Sequence, residues 1–467
     1  MNEQTIIKGY EYAKEVYATR GIDTDAAIKL ADAVPITMHS WQGDDLIGFD
    51  GTGPLTGGIA TTGNYPGRAR TADELREDIL KAISLIPGKL RIGLHSCNAE
   101  PNGKKVDRDA YTIELFQNWV DWAKEHGFQL DFNPTFFSHP AMDGDFSLAS
   151  ADAGKRKFWV EHGKRCREIG AEFGKRLGTP CITNFWMPDG YKDIPADTAA
   201  PRLRMIASLD EIFSERIDPA YEVDSLESKL FGFGIESYTV VSHEFALNYC
   251  MKNNKYVCLD AGHFHPTEFI ASKLTAIAPF VEGIMLHVSR GVRWDSDVVI
   301  WDDELQHIMD EIIHNGYENK VHIGLDYFDA SINRIAAWVI GTRNPRKALL
   351  NAYLTSFQDG RNAERAGDYT SRLALLEENK SLPFAPVWDY YCMISAFRWD
   401  AIGSDRSKRM KAASYPTDNT KRCSAARYGY LLILKEQQNN GSHRQNNMAD
   451  TGYVLAGTDV RRALCQP

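Results

Sequence analysis

Positive charge is scarce in this chain: 53 Lys and Arg stand against 63 Asp and Glu, for a net charge of −10 with histidine neutral. A nucleic-acid binder needs a basic face to neutralise phosphates, so that class is set aside. No run of roughly 18 apolar residues occurs, and no membrane span is expected. The N-terminal stretch MNEQTIIKGYEYAKEVY lacks the apolar segment of a secretory leader and reads as a helix, which points to a cytoplasmic protein. The eight cysteines, Cys97, Cys166, Cys181, Cys250, Cys258, Cys392, Cys423 and Cys465, include no CxxC pair. Reduced thiols acting as small apolar side chains are expected, rather than a disulfide framework or a zinc cluster. What is present is 467 residues, 43% hydrophobic and 25% charged, an ordinary globular composition. That length holds one very large domain or two to three smaller ones.

Short apolar runs alternate with longer helical patterns from about residue 34 to residue 340. The runs are VPITMHS (34–40), KLRIGLHS (89–96), FQLDFNPT (128–135), TPCITNFW (179–186), EVDSLESK (222–229), KYVCLDAGH (255–263), GIMLHVS (283–289) and KVHIGLD (320–326). Each is continuously apolar rather than alternating, as expected for parallel strands covered on both faces. Helices are expected in the gaps, at YTIELFQNWVDWAKEHG (111–127), FWVEHGKRCREIGAEFGKRLG (158–178), LRMIASLDEIFSERI (203–217) and DELQHIMDEIIHNG (303–316). A further helix follows Thr71, where Thr71-Ala72-Asp73-Glu74 has the capping-box pattern. Eight strands alternating with helices predict an α/β fold, a (β/α)8 TIM barrel over residues 1–341. A doubly wound sheet would announce itself with a Gly-rich turn after its first strand, and none stands there. Residues 342–392 read as an appended C-terminal helical segment, of the kind that packs on a neighbouring subunit. Residues 393–467 hold 12 Lys and Arg against 6 Asp and Glu, a surplus of +6 that leaves −16 on the first 392 residues. That stretch has no sustained period and contains the linker-like NNGSHRQNN, so it reads as a mostly disordered tail.

Active sites of this fold lie at the C-terminal ends of the strands. The expected strands end at His39, His95, Asn133, Asn184, Glu227 with Lys229, Asp260 with His263, His287 and Asp326. Loop entries are more often Gly, Ser, Asn or Asp than His, Glu or Lys, so this set favours a site. Asp295 and Asp297, two residues apart, can point the same way from an extended loop after strand seven. Five carboxylates (Glu227, Asp260, Asp295, Asp297 and Asp326) would repel one another severely in a low-dielectric interior. Two divalent cations and Lys229 balance them. Carboxylate oxygens with imidazole suit a hard or borderline octahedral ion such as Mn²⁺, Mg²⁺ or Co²⁺. Taken singly, an aspartate at a strand end is usually a helix cap, and a histidine there a satisfied core residue. On consecutive barrel strands the metal reading prevails. Lys229, two residues after Glu227, shares its face of the strand. It either pairs with its neighbour to steady a loop, or holds a substrate carbonyl oxygen as charge develops there.

Over residues 10 to 392 the chain closely resembles the L-rhamnose isomerases of the larger bacterial type. The resemblance is carried by SWQGDD (40–45), TGGIATTGNYPG (56–67), FNPTFFSHP (132–140), ESKLFG (227–232), ESYTV (236–240), LDAGHFHPTE (259–268), VRWDSDVV (292–299) and DASINRIAAWVIGTRN (329–344). These strings are long and unusual in composition. Xylose isomerases show a more distant likeness. The resemblance implies a homotetramer that interconverts L-rhamnose and L-rhamnulose with Mn²⁺, two ions per subunit, for which Co²⁺ or Mg²⁺ substitute. It implies a structural ion on Glu227, Asp260, His287 and Asp326. It places a catalytic ion on His263, Asp295 and Asp297, with Asp260 bridging. His95 matches the position that assists ring opening, and Trp41, Trp186 and His265 match positions that contact the sugar. Lys229, His95, Asp297 and Asp326 are the expected catalytic residues. A water beside Asp297 would carry the proton between O2 and O1. The related isomerases favour a hydride shift over an enediol, a choice the residues themselves leave open.

Two rival readings of the same residues fit less well. A metal-dependent hydrolase on the same barrel would want more histidine ligands, and a basic mouth for a DNA substrate. A catalytically dead sugar-binding protein would be expected to have lost a ligand, and every position carries a usable one. The ending departs from the family: relatives close with a short acidic amphipathic helix, whereas this chain turns basic and irregular after Tyr390-Tyr391-Cys392. The expectation is that a frameshift or a gene-boundary error replaced the native end, with Met448 onward resembling the start of another reading frame.

Overall fold

A computed structural model describes residues 2–41, 48–50, 68–229, 237–265, 267–289, 302–327 and 332–402, with 396–402 described by their backbone alone. Eight strands close into a barrel: β1 (Ile36–His39), β2 (Leu90–His95), β3 (Gln129–Asn133), β4 (Cys181–Phe185), β5 (Glu222–Glu227), β6 (Tyr256–Asp260), β7 (Ile284–Val288) and β8 (Val321–Leu325). Neighbours pair in parallel all the way round, and β1 closes the ring against β8. Each expected run contains one of these strands. The sequence could show continuous burial, and closure explains it: one face of every strand fills the lumen and the other carries the helices.

Register decides which residues face inward. Glu227 pairs with Cys258, Asp260 with His287, and His287 with Gly324, so these positions share one face. Stepping back two residues along each strand, Ser225, Tyr256, Met285 and His322 face the same way. The lumen is therefore layered. Thr37, Arg91, Asp131 and His322 form a polar layer toward its floor, where Arg91 grips Asp131 in a bidentate pair at 2.9 and 2.7 Å. Thr37 Oγ1 and His322 Nε2 lie 2.6 and 3.0 Å from Asp131 Oδ2. Burial alone would raise the Asp131 pKa, but the Arg91 and His322 charges hold it well below the carboxylate range. Ile182, Cys258 and Met285 form a small apolar plug, separate from the main core between strands and helices.

Helices α1 (Glu3–Ala18) and α2 (Thr24–Ala33) precede the barrel, capped by Asn2 and Asp23. Around it run α3 (Ala72–Ile83), α4 (Gln117–His126), α5 (Ala153–Leu177), α6 (Ala199–Ile212), α7 (His243–Asn253), α8 (Ala271–Ile277) and α9 (Asp302–His314). At α3 the hydroxyl of Thr71 accepts from the Glu74 amide, as the capping pattern predicts, at 3.2 Å. The Glu74 carboxylate accepts from the Arg70 amide at 2.8 Å, one residue earlier than in a capping box. Helix α5 lies close enough on β4 and β5 that a Cβ at Gly174 would meet the Tyr221 carbonyl oxygen at 1.9 Å.

The C-terminal helices are α10 (Arg334–Tyr353), α11 (Gln358–Arg365), α12 (Tyr369–Asn379) and α13 (Phe384–Ile402). Helix α10 runs through the expected boundary at 341/342, and α13 runs nine residues past Met393, which is itself buried. Helix α10 packs against α9 on one side and α2 and α3 on the other, completing the ring of helices, and α13 packs against α1 and α10. Arg346 of α10, fully buried, donates to the carbonyls of Ala31, Val34 and Lys89 at 2.6–2.7 Å. Gly88, at φ +88, leaves room for that guanidinium, which a Cβ there would meet at 2.6 Å. Tyr390 of α13 stacks on Tyr10 of α1 at 3.8 Å, and Tyr391 donates to Asp32 at 3.0 Å. Residues 403–467 lie outside the described residues.

Candidate metal centre and active site

Glu227, Asp260 and His287 occupy the C-terminal ends of β5, β6 and β7, and Asp326 follows β8 directly. Barrel closure swings these four inward to one point, where their ligand atoms all lie within 4.8 Å of one another. All four are buried. His287 Nδ1 lies 3.0 Å from Glu227 Oε2, 3.3 Å from Asp326 Oδ2 and 3.6 Å from Asp260 Oδ2, yet it makes no hydrogen bond among the described residues. One nitrogen crowded by three carboxylate oxygens is the donor spacing of a shared small cation. Adjacent ligands of an octahedral ion with bonds near 2.1 Å stand about 3 Å apart. The residues therefore fit a divalent metal ion, and the oxygen-rich set favours a hard or borderline one.

The electrostatics agree. Burial acts to raise the Glu227 pKa, but the adjoining His287 and His263 bring it below the usual value. Burial likewise works against a charged His287, and its neighbours Cys258 and Glu227 outweigh that and push it well above the imidazole range. The cluster thus favours positive charge at its centre. Asn184 at the end of β4 donates to Glu227 Oε2 at 2.5 Å, and the Gly262 amide donates to Asp260 Oδ1 at 2.6 Å. His263, in the turn after β6, adjoins the cluster through Glu227, with Nδ1 at 3.2 Å from Oε1.

Beside the cluster stands an aromatic wall. His39, at the end of β1, lies 4.7 Å from Trp41, and Trp41 meets His95 of β2 edge-on at 5.4 Å between ring centres. Phe137, in the loop after β3, is 5.7 Å from His95 and 5.6 Å from Trp186. The Lys229 ammonium sits 4.7 Å from the centre of the Trp186 ring, a cation–π contact between two expected substrate residues. The chain after β5 is clamped by a short ribbon, in which Gly190–Tyr191 pairs antiparallel with Tyr238–Thr239. The Lys229 amide donates to Val241 O at 2.9 Å, and Thr239 Oγ1 donates to Lys229 O at 3.1 Å. His95 Nδ1 lies 2.6 Å from Thr135 Oγ1. Burial, helped by the Arg108 charge, pulls the His95 pKa down to about 3, so this imidazole is neutral at physiological pH.

The structure thus brings Glu227, Asp260, His263, His287 and Asp326 together, and sets His95 against Trp41 and Lys229 against Trp186. It does not bring His265 to them: that residue is exposed, with Nδ1 2.8 Å from Thr267 Oγ1. Asp295 and Asp297 lie outside the described residues. Phe137 and Cys258 join the site only in the structure, which also gives Asn184 its role beside Glu227. Asn184 stood among the strand ends and Phe137 within FNPTFFSHP, but only contacts across strands reveal their places.

A family model described as L-rhamnose isomerase (RhaA) matches residues 4–409. Among curated proteins, the L-rhamnose isomerase of Mannheimia succiniciproducens is 56% identical over 390 residues, covering 83% of this chain and 93% of the relative. That of Rhodopirellula baltica is 54% identical over 389 residues, covering 83% and 91%. That of Listeria monocytogenes serotype 4a is 52% identical over 412 residues, covering 88% and 97%.

Proposed function

The chain belongs to the L-rhamnose isomerase family, and from that premise we infer that it interconverts L-rhamnose and L-rhamnulose, an aldose and its ketose. The observation that carries the reading is the convergence of Glu227, Asp260, His287 and Asp326 on one buried point. Mn²⁺ is the proposed ion, two per subunit with Co²⁺ or Mg²⁺ as substitutes: Glu227, Asp260, His287 and Asp326 hold the structural one, and His263, Asp295 and Asp297 the catalytic one. When bound, the ions supply Lewis acidity to the sugar's O1 and O2.

The chain's own residues do the rest. Trp41 and Trp186 lie against the C–H face of the sugar, where water is excluded. His95, neutral and anchored by Thr135, assists ring opening at the ring oxygen. The Lys229 ammonium then stabilises charge on the carbonyl oxygen while hydrogen moves from C2 to C1 and a proton passes from O2 to O1. Asp297 is the proposed partner for that proton, with Asp326 steadying the metal side of the pocket. His265 is the remaining proposed sugar contact, and its exposed position on one chain suits a role completed in an assembly. A homotetramer is proposed for that assembly. Helix α12 supports it, since none of its residues is buried and Tyr369 and Leu373 are 61% and 58% exposed. The cytoplasm is the proposed location; no helix among the described residues is long and apolar enough to cross a membrane. The hydrolase alternative finds no support in the matched family or in relatives named for isomerisation.

The deciding experiment follows ketose formation from L-rhamnose by EDTA-stripped protein, with and without Mn²⁺. Formation of L-rhamnulose that depends on added Mn²⁺ is expected. No turnover in folded, metal-loaded protein would overturn the substrate assignment.

A further inference from the structure

Cys258 takes no part in the reaction just described, yet it lies against the residues that hold its metal. It faces the lumen of the barrel two residues before Asp260, and pairs in register with Glu227 on β5 and Met285 on β7. Its sulfur, a carboxylate oxygen of Glu227 and a ring nitrogen of His287 lie within 4.8 Å of one another, all on buried side chains. Ile182 and Met285 pack around the thiol. His287, only 4% exposed, has its Nδ1 without a hydrogen-bond partner among the described residues and 3.0 Å from Glu227 Oε2. Two donor sets therefore overlap here. The set completed by Asp260 and Asp326 offers three carboxylates and an imidazole, and suits a hard ion. The set completed by Cys258 offers one oxygen, one nitrogen and one sulfur, and suits a thiophilic ion. Because both sets use Glu227 and His287, filling one dismantles the other.

We propose that Glu227, Cys258 and His287 form an alternative metal site in the barrel lumen, overlapping the structural one and selective for thiophilic divalent ions such as Cd²⁺, whose occupation excludes the hard ion there. Binding exchanges the thiol proton for a metal–sulfur bond, and the proton leaves to the buffer. The proposal rests on the hard-metal reading for its effect on that site, and the experiment separates the two.

Full-length protein carrying Cys423→Ser and Cys465→Ser, which removes the two cysteines outside the described residues, is stripped with EDTA and titrated with Cd²⁺ alone. The ultraviolet thiolate-to-metal charge-transfer band is read. A saturable, stoichiometric band is expected, absent after the further change Cys258→Ser. That change should weaken Cd²⁺ binding about tenfold or more, and leave Mn²⁺ affinity, read from the free-Mn²⁺ electron paramagnetic resonance signal, within about threefold. No band in the parent protein, or a band that survives Cys258→Ser, overturns the soft site. If Mn²⁺ binds neither protein, the hard-metal reading falls while the band still decides the soft site. Should Cys258→Ser fail to fold, Glu227→Gln and His287→Gln serve instead: loss of the band with every thiol intact supports the site, and its persistence in both overturns it.

Discussion

Among the described residues, Lys229 sets a cation beside the expected sugar-binding groups, held over Trp186 at 4.7 Å by a backbone clamped to Val241. Replacing it with methionine keeps the packing and removes the charge. Lys229→Met should lower kcat by about 10²–10³-fold while Mn²⁺ affinity stays unchanged, as steady-state kinetics and metal titration will show. His162 illustrates a different use of the same side-chain chemistry. Its Nε2 accepts from the Thr135 amide at 3.2 Å, and its Nδ1 lies 3.1 Å from the Arg108 carbonyl oxygen, so the neutral ring is satisfied on both sides. Burial, aided by the Arg108 charge, pulls its pKa down to about 3. Below the unfolded value, near 6.5, the unfolded chain binds a proton that the folded chain refuses. Stability is therefore lost as pH falls from about 6.5 toward 3, by about 1.4 kcal/mol per pH unit for this group. The slope of urea-unfolding stability against pH between 6 and 4 should flatten by about that amount in His162→Gln. At this scale the sequence displayed the donors Glu227, Asp260, His287 and Asp326 because strand ends are visible in it. It showed Asn184 as a strand end but not its bond to Glu227, and it hid Cys258, because each matters through a neighbour across the sheet.

Among elements, the strands were the most legible, because continuous apolar runs of this length leave few other readings. The helices α2, α7 and α8 were not expected. They are 10, 11 and 7 residues long, too short for a helical period to stand out from single-sequence patterning. Helix α5 was expected, but the reason for its glycines was not visible. Gly170 and Gly174 lie where a Cβ would meet Thr183 Oγ1 at 2.5 Å and the Tyr221 carbonyl oxygen at 1.9 Å. The second contact is with backbone, which cannot swing aside as a side chain can. Gly174→Ala should therefore destabilise the fold by about 1–3 kcal/mol through overpacking, against the usual gain in helix propensity. A melting temperature equal to or above that of the parent would refute this account of how α5 seats on β4 and β5.

For the whole molecule, the question posed by the basic ending is answered in part by α13. The composition changes near Met393, but the helix continues to Ile402, and Val387, Trp388, Tyr391, Cys392 and Met393 are buried. The family match likewise extends to residue 409. A chain ending after residue 409 should fold and isomerise L-rhamnose like the parent, whereas one ending at Ser381 should lose cooperative unfolding, because Tyr10, Asp32 and the Arg343 side of α10 lose their partners. Circular dichroism melts of the two truncations test this directly. The sequence by itself determined the strands, most of the longer helices, the cap at Thr71 and the chemical types at the strand ends, because local periodicity and local hydrogen bonding set those. Only the tertiary structure decided that Glu227, Asp260, His287 and Asp326, spread over a long stretch of chain, meet at one point, that Cys258 shares their neighbours, and that Arg346 ties α10 to the chain entering β1 and β2. Those facts follow from ring closure and register, which depend on all eight strands at once.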